Sequence, residues 1–160
     1  QHGNQVKRSL MSPGQYTELF FLDEATALAA GHRPCGRCSR ARYQEFLHYW
    51  RLGNLDASGN LDDILHQDRF IPYKRVWRAK KRVDTAPIES LPSGTLIMLD
   101  PDPSGQLYLI QGDRLLRWSF GGYGPPGEGR SGVDVIVITP QSTVRALAAG
   151  YQPVIYPELF

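Results

Sequence analysis

The chain has 160 residues, 41% hydrophobic and 21% charged, with no low-complexity tract, so it has room for one core or two small lobes. No apolar run approaches the roughly 20 residues of a membrane helix, no signal-peptide pattern opens the chain, and two cysteines make no disulfide framework. Those features point to a cytoplasmic protein without a membrane partner, although the sequence begins at Gln1 rather than Met and leaves upstream residues open. The net charge of +2 is uneven: residues 1–82 carry 14 Lys/Arg against 8 Asp/Glu, and residues 83–160 carry 4 against 8. Such asymmetry suits a first half that faces an anionic partner, or simply a polarised surface.

The first half reads as helical. In "FFLDEATALAAG", Asp23 is an N-cap, Glu24 sits in the first turn and Gly31 ends the helix as a C′ residue. "SRARYQEFLHYWRLG" places Tyr43, Phe46, Leu47 and Trp50 at i, i+3, i+4 and i+7, one buried stripe. Ser39 would cap that helix, Gly53 would lie past its end, and Arg40, Arg42, Gln44 and Arg51 would face solvent. A shorter helix runs through "LDDILHQDRF" with Leu61, Ile64 and Leu65 inward.

The second half reads as β. "TLIMLD", "QLYLIQG" and "RLLRWSF", joined by "PDPSG" and "GD", predict a three-stranded meander. "GGYGPPGEGRSG" is expected to be a long loop, and "VDVIVIT" a buried strand. Thr139 and Pro140 then start a helix by the N-cap and N1-proline rule, and Gly150 closes it. The expectation is an α+β protein: a basic, mainly helical lobe over 1–85 and a β-rich lobe with one C-terminal helix over 86–160, or the two as one compact domain. One echo runs across it, since "ALAAGHRP" at 27–34 recurs as "ALAAGYQP" at 146–153. A helix–Gly–aromatic–x–Pro element is therefore a fold device that needs no metal.

"ELFFLDEATALAAGHRPCGRCSRARYQEF", about residues 18–46, contains Phe20, Phe21, Gly31, His32, Arg33, Pro34, Cys35 and Cys38 in an order that resembles the second half of the zinc-binding N-terminal domain of the Ada DNA-alkylation-repair proteins. The chain as a whole resembles bacterial proteins of unassigned activity. The Ada resemblance implies that Cys35 and Cys38 are half of a Cys₄ zinc site. It also implies an upstream cysteine pair that includes the methyl acceptor, but "GNQVKRSLMSPG" has no cysteine, so that chemistry is not expected here. From the residues alone, Cys35 and Cys38 are open to three readings: metal ligands for zinc, a redox pair or a structural pair. His2, His32, His48 and His66 are the candidates to complete a tetrahedral site, with His32 rather a packing ring. Arg33, Arg37 and Arg40 would depress thiol pKa values at a helix start, although thioredoxin-like chemistry needs a preceding strand.

The stretch "RFIPYKRVWRAKKR", residues 69–82, holds seven Lys/Arg and no acid. In it Tyr73 and Trp77 interleave with Lys74, Arg75, Arg78, Lys80, Lys81 and Arg82, so cations can neutralise phosphates while rings stack on bases. With Arg33, Arg37 and Arg40 this makes binding of DNA or RNA the leading expectation. A hydrolase acting on nucleic acid is the rival. It would use His66 and Asp62, which share a helix face at i, i+4, with Glu18 as a looser candidate. A protein-interaction module is the third class.

Overall fold

The computed structural model describes residues 19–71, 80–99, 104–128 and 131–156. Helix α1 (Glu24–Ala29) begins as the sequence dictates, the Asp23 carboxylate accepting the Thr26 N–H at 2.8 Å. It ends in a Schellman turn: the Gly31 N–H reaches the Leu28 carbonyl at 2.8 Å and the His32 N–H reaches Ala27 at 2.9 Å, with Gly31 at φ 77°. Helix α4 (Gln141–Ala148) ends in the same way, Gly150 to Leu147 at 3.0 Å and Tyr151 to Ala146 at 3.1 Å. The sequence echo is thus a repeated helix terminus.

Helix α2 (Arg40–Gly53) buries Phe46 and Trp50, and α3 (Leu61–Arg69), capped by Asn60, buries Leu61 and Leu65. Together with Leu28, Ala146, Leu147 and Tyr151 these side chains form one apolar cluster. Ser39 is the N-cap residue of α2, as read, though its side chain makes no cap bond. Two expectations about these helices are corrected. Gly53 belongs to the helix, and its role is space: a Cβ there would lie 2.4 Å from the Arg145 carbonyl oxygen, so it lets α2 and α4 approach. Arg42 does not face solvent. Its guanidinium is half-buried among Glu24, the Tyr151 hydroxyl and the Gln152 carbonyl, tying α2 to α1 and to the C-terminal segment.

Phe70–Ile71 (β1) pairs antiparallel with Lys80–Lys81 (β2), so the basic stretch doubles back as a hairpin. The remaining strands are β3 (Asp84–Pro87), β4 (Leu96–Leu99), β5 (Leu107–Gln111), β6 (Arg114–Ser119), β7 (Gly122–Glu128) and β8 (Asp134–Val137). They form one antiparallel sheet in the order β3-β8-β4-β5-β6-β7. The meander is β4-β5-β6 and "VDVIVIT" is the buried strand β8, as read.

Most of the Gly/Pro-rich stretch, Gly122–Glu128, is not a loop but the edge strand β7, pairing with β6 across a register shift between Leu116 and Trp118. Adjacent N–H positions of a strand face opposite sides, so one of Pro125 and Pro126 takes the outward row that an edge strand leaves unpaired and the other is accommodated beside the register shift. Tyr123, 2% exposed, anchors the strand. Pro87 lies on the opposite edge strand, β3. Pro140 is the N-cap of α4 rather than its N1 residue, and the Thr139 hydroxyl accepts the Leu96 N–H at 2.9 Å.

Successive residues of the strands point to opposite faces, and both faces are apolar. Leu96, Leu109, Leu116 and Tyr123 pack on Ala25 and Ala29 of α1. Ile97, Ile110, Leu115 and Val135 pack on Ile88 of a short 3-10 turn (Ile88–Ser90). The architecture is α+β, with helices on the N-terminal side and α4 returning to them. Among the described residues no helix is long and apolar enough to cross a membrane.

Candidate functional site

The Cys35–Cys38 turn starts where the Schellman terminus of α1 releases the chain. The Ser39 N–H bonds to the Cys35 carbonyl at 2.9 Å, which curls residues 35–39 into a tight turn feeding α2. The Cys38 N–H points at the Cys35 Sγ at 3.5 Å. Both cysteines are free and exposed. The N–H groups of Cys38 and Arg37 hold the Cys35 thiol below its usual range, with smaller help from the Cys38 thiol and the Arg33 guanidinium and against a slight burial.

Gly31, His32, Arg33, Arg37, Tyr43 and Asp62 join the two cysteines around an open groove of ≈ 640 Å³. Arg33 spans it as a bidentate clasp on Asp62, Nε to Oδ1 at 2.7 Å and Nη2 to Oδ2 at 2.8 Å. The same guanidinium lies over the Tyr43 ring, 4.8 Å from its centre. The clasp holds the Asp62 carboxyl below the usual carboxylate range. The His32 ring packs on Phe21 at 5.0 Å, a packing ring as expected, and burial and then Arg69 push its pKa down. Tyr43 was legible only as a core stripe residue. Its place in the groove had no sequence signal, because nothing local says that Arg33 will reach across to it.

The two basic segments meet here. The Arg69 side chain, at the end of α3, lies where a Cβ on Gly31 would sit, 1.8 Å from its Cδ. The Arg69 carbonyl accepts the Arg82 N–H at 2.9 Å. The base of the β1–β2 hairpin therefore abuts the start of the cysteine turn. Arg37, Arg40 and Arg82 are exposed and enter none of the three ion pairs found among the described residues. Arg33 is different, since Asp62 already neutralises it. Lys80 and Lys81 form β2. Tyr73, Lys74, Arg75, Trp77 and Arg78 lie outside the described residues, as does Glu18.

The Asp62–His66 pair is not assembled. Asp62 is held by Arg33, while His66 stacks on Phe70 with ring centres 4.9 Å apart, and no bond among the described residues joins the two. A structural zinc ion takes four N, S or O donors. Cys35 and Cys38 offer two, and no group of three or more His, Cys, Asp or Glu among the described residues is placed to hold a metal. Those residues alone therefore do not make up a zinc site.

No protein-family model, curated protein or solved structure matches the chain.

Proposed function

We propose that the chain binds nucleic acid, DNA or RNA, along the face where the base of the basic hairpin meets the Cys35–Cys38 turn. The observation that carries this reading is the seating of Arg69 on Gly31. It makes neighbours of two basic segments more than thirty residues apart: Arg37 lines the groove, Arg40 opens α2 just after the cysteine turn, and Arg82 is bonded through its N–H to the Arg69 carbonyl, none of the three in an ion pair among the described residues. Unpaired cations on one face can displace the counterions condensed on phosphates. The sequence of the basic stretch adds the charges of Lys74, Arg75, Arg78, Lys80 and Lys81, and the rings of Tyr73 and Trp77 for unpaired bases.

In this reading the cysteines shape the turn, and their free thiols fit a reducing, cytoplasmic setting. A zinc ion on Cys35 and Cys38, as the Ada resemblance implies, belongs to the proposal only with two further donors. Anisotropy of labelled duplex DNA, single-stranded DNA and RNA tests it. The expected result is saturable binding that weakens as salt rises, with a log–log slope of about −0.9 per phosphate neutralised on duplex and about −0.7 on single strands. Binding indifferent to salt, or none at low salt, overturns it.

A further inference from the structure

We infer that Cys35 and Cys38 are an oxidisable dithiol, in which Cys35 attacks a hydroperoxide and Cys38 resolves the product to an intramolecular disulfide. Both thiols are exposed on one groove, within a turn closed by the Ser39-to-Cys35 backbone bond, and the Cys38 amide already addresses the Cys35 sulfur at 3.5 Å. A disulfide asks for Cα atoms within about 7 Å, and a two-residue spacer inside such a turn meets that without unfolding α2.

The two sulfurs are not equivalent. Cys35 receives the Cys38 N–H at its sulfur at 3.5 Å, a backbone donor that favours negative charge there, and Arg37, in no ion pair among the described residues, lines the same groove. Cys38 stands one turn later at the mouth of α2. That asymmetry names the attacking and resolving thiols. The groove, at ≈ 640 Å³, is roomy enough for a small hydroperoxide. No third metal-ligating side chain among the described residues ties the sulfurs down.

The Cys35 sulfur attacks the outer oxygen of the hydroperoxide, the O–O bond breaks, and the second oxygen leaves with the proton given up by Cys35 as an alcohol, or as water from hydrogen peroxide. Cys35 is then a sulfenic acid. The Cys38 sulfur displaces that hydroxyl, the S–S bond forms, and the Cys38 proton departs with the hydroxyl as water. The peroxide gains two electrons and the two thiols lose them. Nothing in this step depends on the nucleic-acid reading.

The test treats the reduced full chain with hydrogen peroxide and follows intact mass, thiols titrated after denaturation, and metal release with a zinc-sensitive dye. The wild type should lose both thiols together and two hydrogens in mass, and dithiothreitol should restore both. Cys38→Ser should stop at a sulfenic acid that dimedone captures at Cys35. Cys35→Ser should react about tenfold more slowly, as the backbone N–H donor is aimed at the Cys35 sulfur. Survival of both thiols, equal dimedone labelling of the two variants, or release of stoichiometric zinc as the thiols disappear would each overturn the inference.

Discussion

Replacing Arg42 by Met tests how the helical layer is tied to the chain's C-terminal segment. Arg42 Nη2 donates to Glu24, to the Tyr151 hydroxyl at 2.9 Å and to the Gln152 carbonyl at 2.8 Å, while Nη1 reaches Glu45 at 2.6 Å. The Glu24 side chain is 16% exposed and that of Arg42 28%. Glu24 would keep two donors, the Tyr151 hydroxyl at 2.6 Å and the Val154 N–H at 2.8 Å, but lose its counter-charge. Breaking a fully buried pair costs about 3–5 kcal/mol. Partial exposure admits water here, and the Glu45 arm lies at the surface and contributes little, so the expected loss is about 2–3 kcal/mol. Met preserves the aliphatic stem and hence the packing. Urea unfolding followed by tryptophan fluorescence should show a midpoint about 1 M lower at unchanged slope. Adding Glu24→Met should cost less than the sum of the single losses, with a coupling of about 1–2 kcal/mol. A loss for Arg42→Met below about 0.5 kcal/mol, the range of ordinary surface changes, would refute the reasoning.

Two buried tyrosines predict weakness in alkali. Burial first, and then Glu24 for Tyr151 and Asp23 for Tyr123, raise both hydroxyls well above their ordinary value of 10.0. The folded state therefore keeps protons that the unfolded state releases, so stability is intact below pH 10 and falls above it, by about 1.4 kcal/mol per pH unit for each group. Tyr123→Phe and Tyr151→Phe should each remove one share of that slope in denaturant titrations at rising pH, and an unchanged slope would count against the account. Gly53→Ala forces a methyl against the Arg145 backbone at 2.4 Å. It should destabilise by about 1–3 kcal/mol in the same unfolding assay, whereas a helical glycine facing open space would show a gain.

Where residues report on their neighbours in sequence, the fold was legible. Asp23 and Gly31 bound α1, the 3.6-residue spacing of Phe46 and Trp50 gave α2, and alternating apolar residues with "PDPSG" and "GD" gave the meander. What failed depended on partners far away. The Gly/Pro stretch has loop composition, and only the vacant edge of β6 makes it a strand. Arg42 sits where a helical wheel predicts solvent, but the C-terminal segment folds over it. Asp62 and His66 share a helix face, yet Arg33, twenty-nine residues earlier, takes the carboxylate. The Cys35–Cys38 turn was visible as a motif. Its groove was not, since Tyr43 and Asp62 arrive from two different helices.

The central claim is that the cations beside the cysteine turn contact nucleic acid, and one comparison tests it. Arg37→Glu, Arg40→Glu and Arg82→Glu combined should be set beside Arg114→Glu, Arg117→Glu and Arg145→Glu combined. The two triple variants have the same net charge, but the second set lies on β6 and α4. Salt titrations of binding to a labelled duplex should lose about one unit of log–log slope for each phosphate contact removed in the first variant. The second should keep the wild-type slope. Equal weakening of both would reduce the effect to net charge, and wild-type binding by the first would contradict the claim outright.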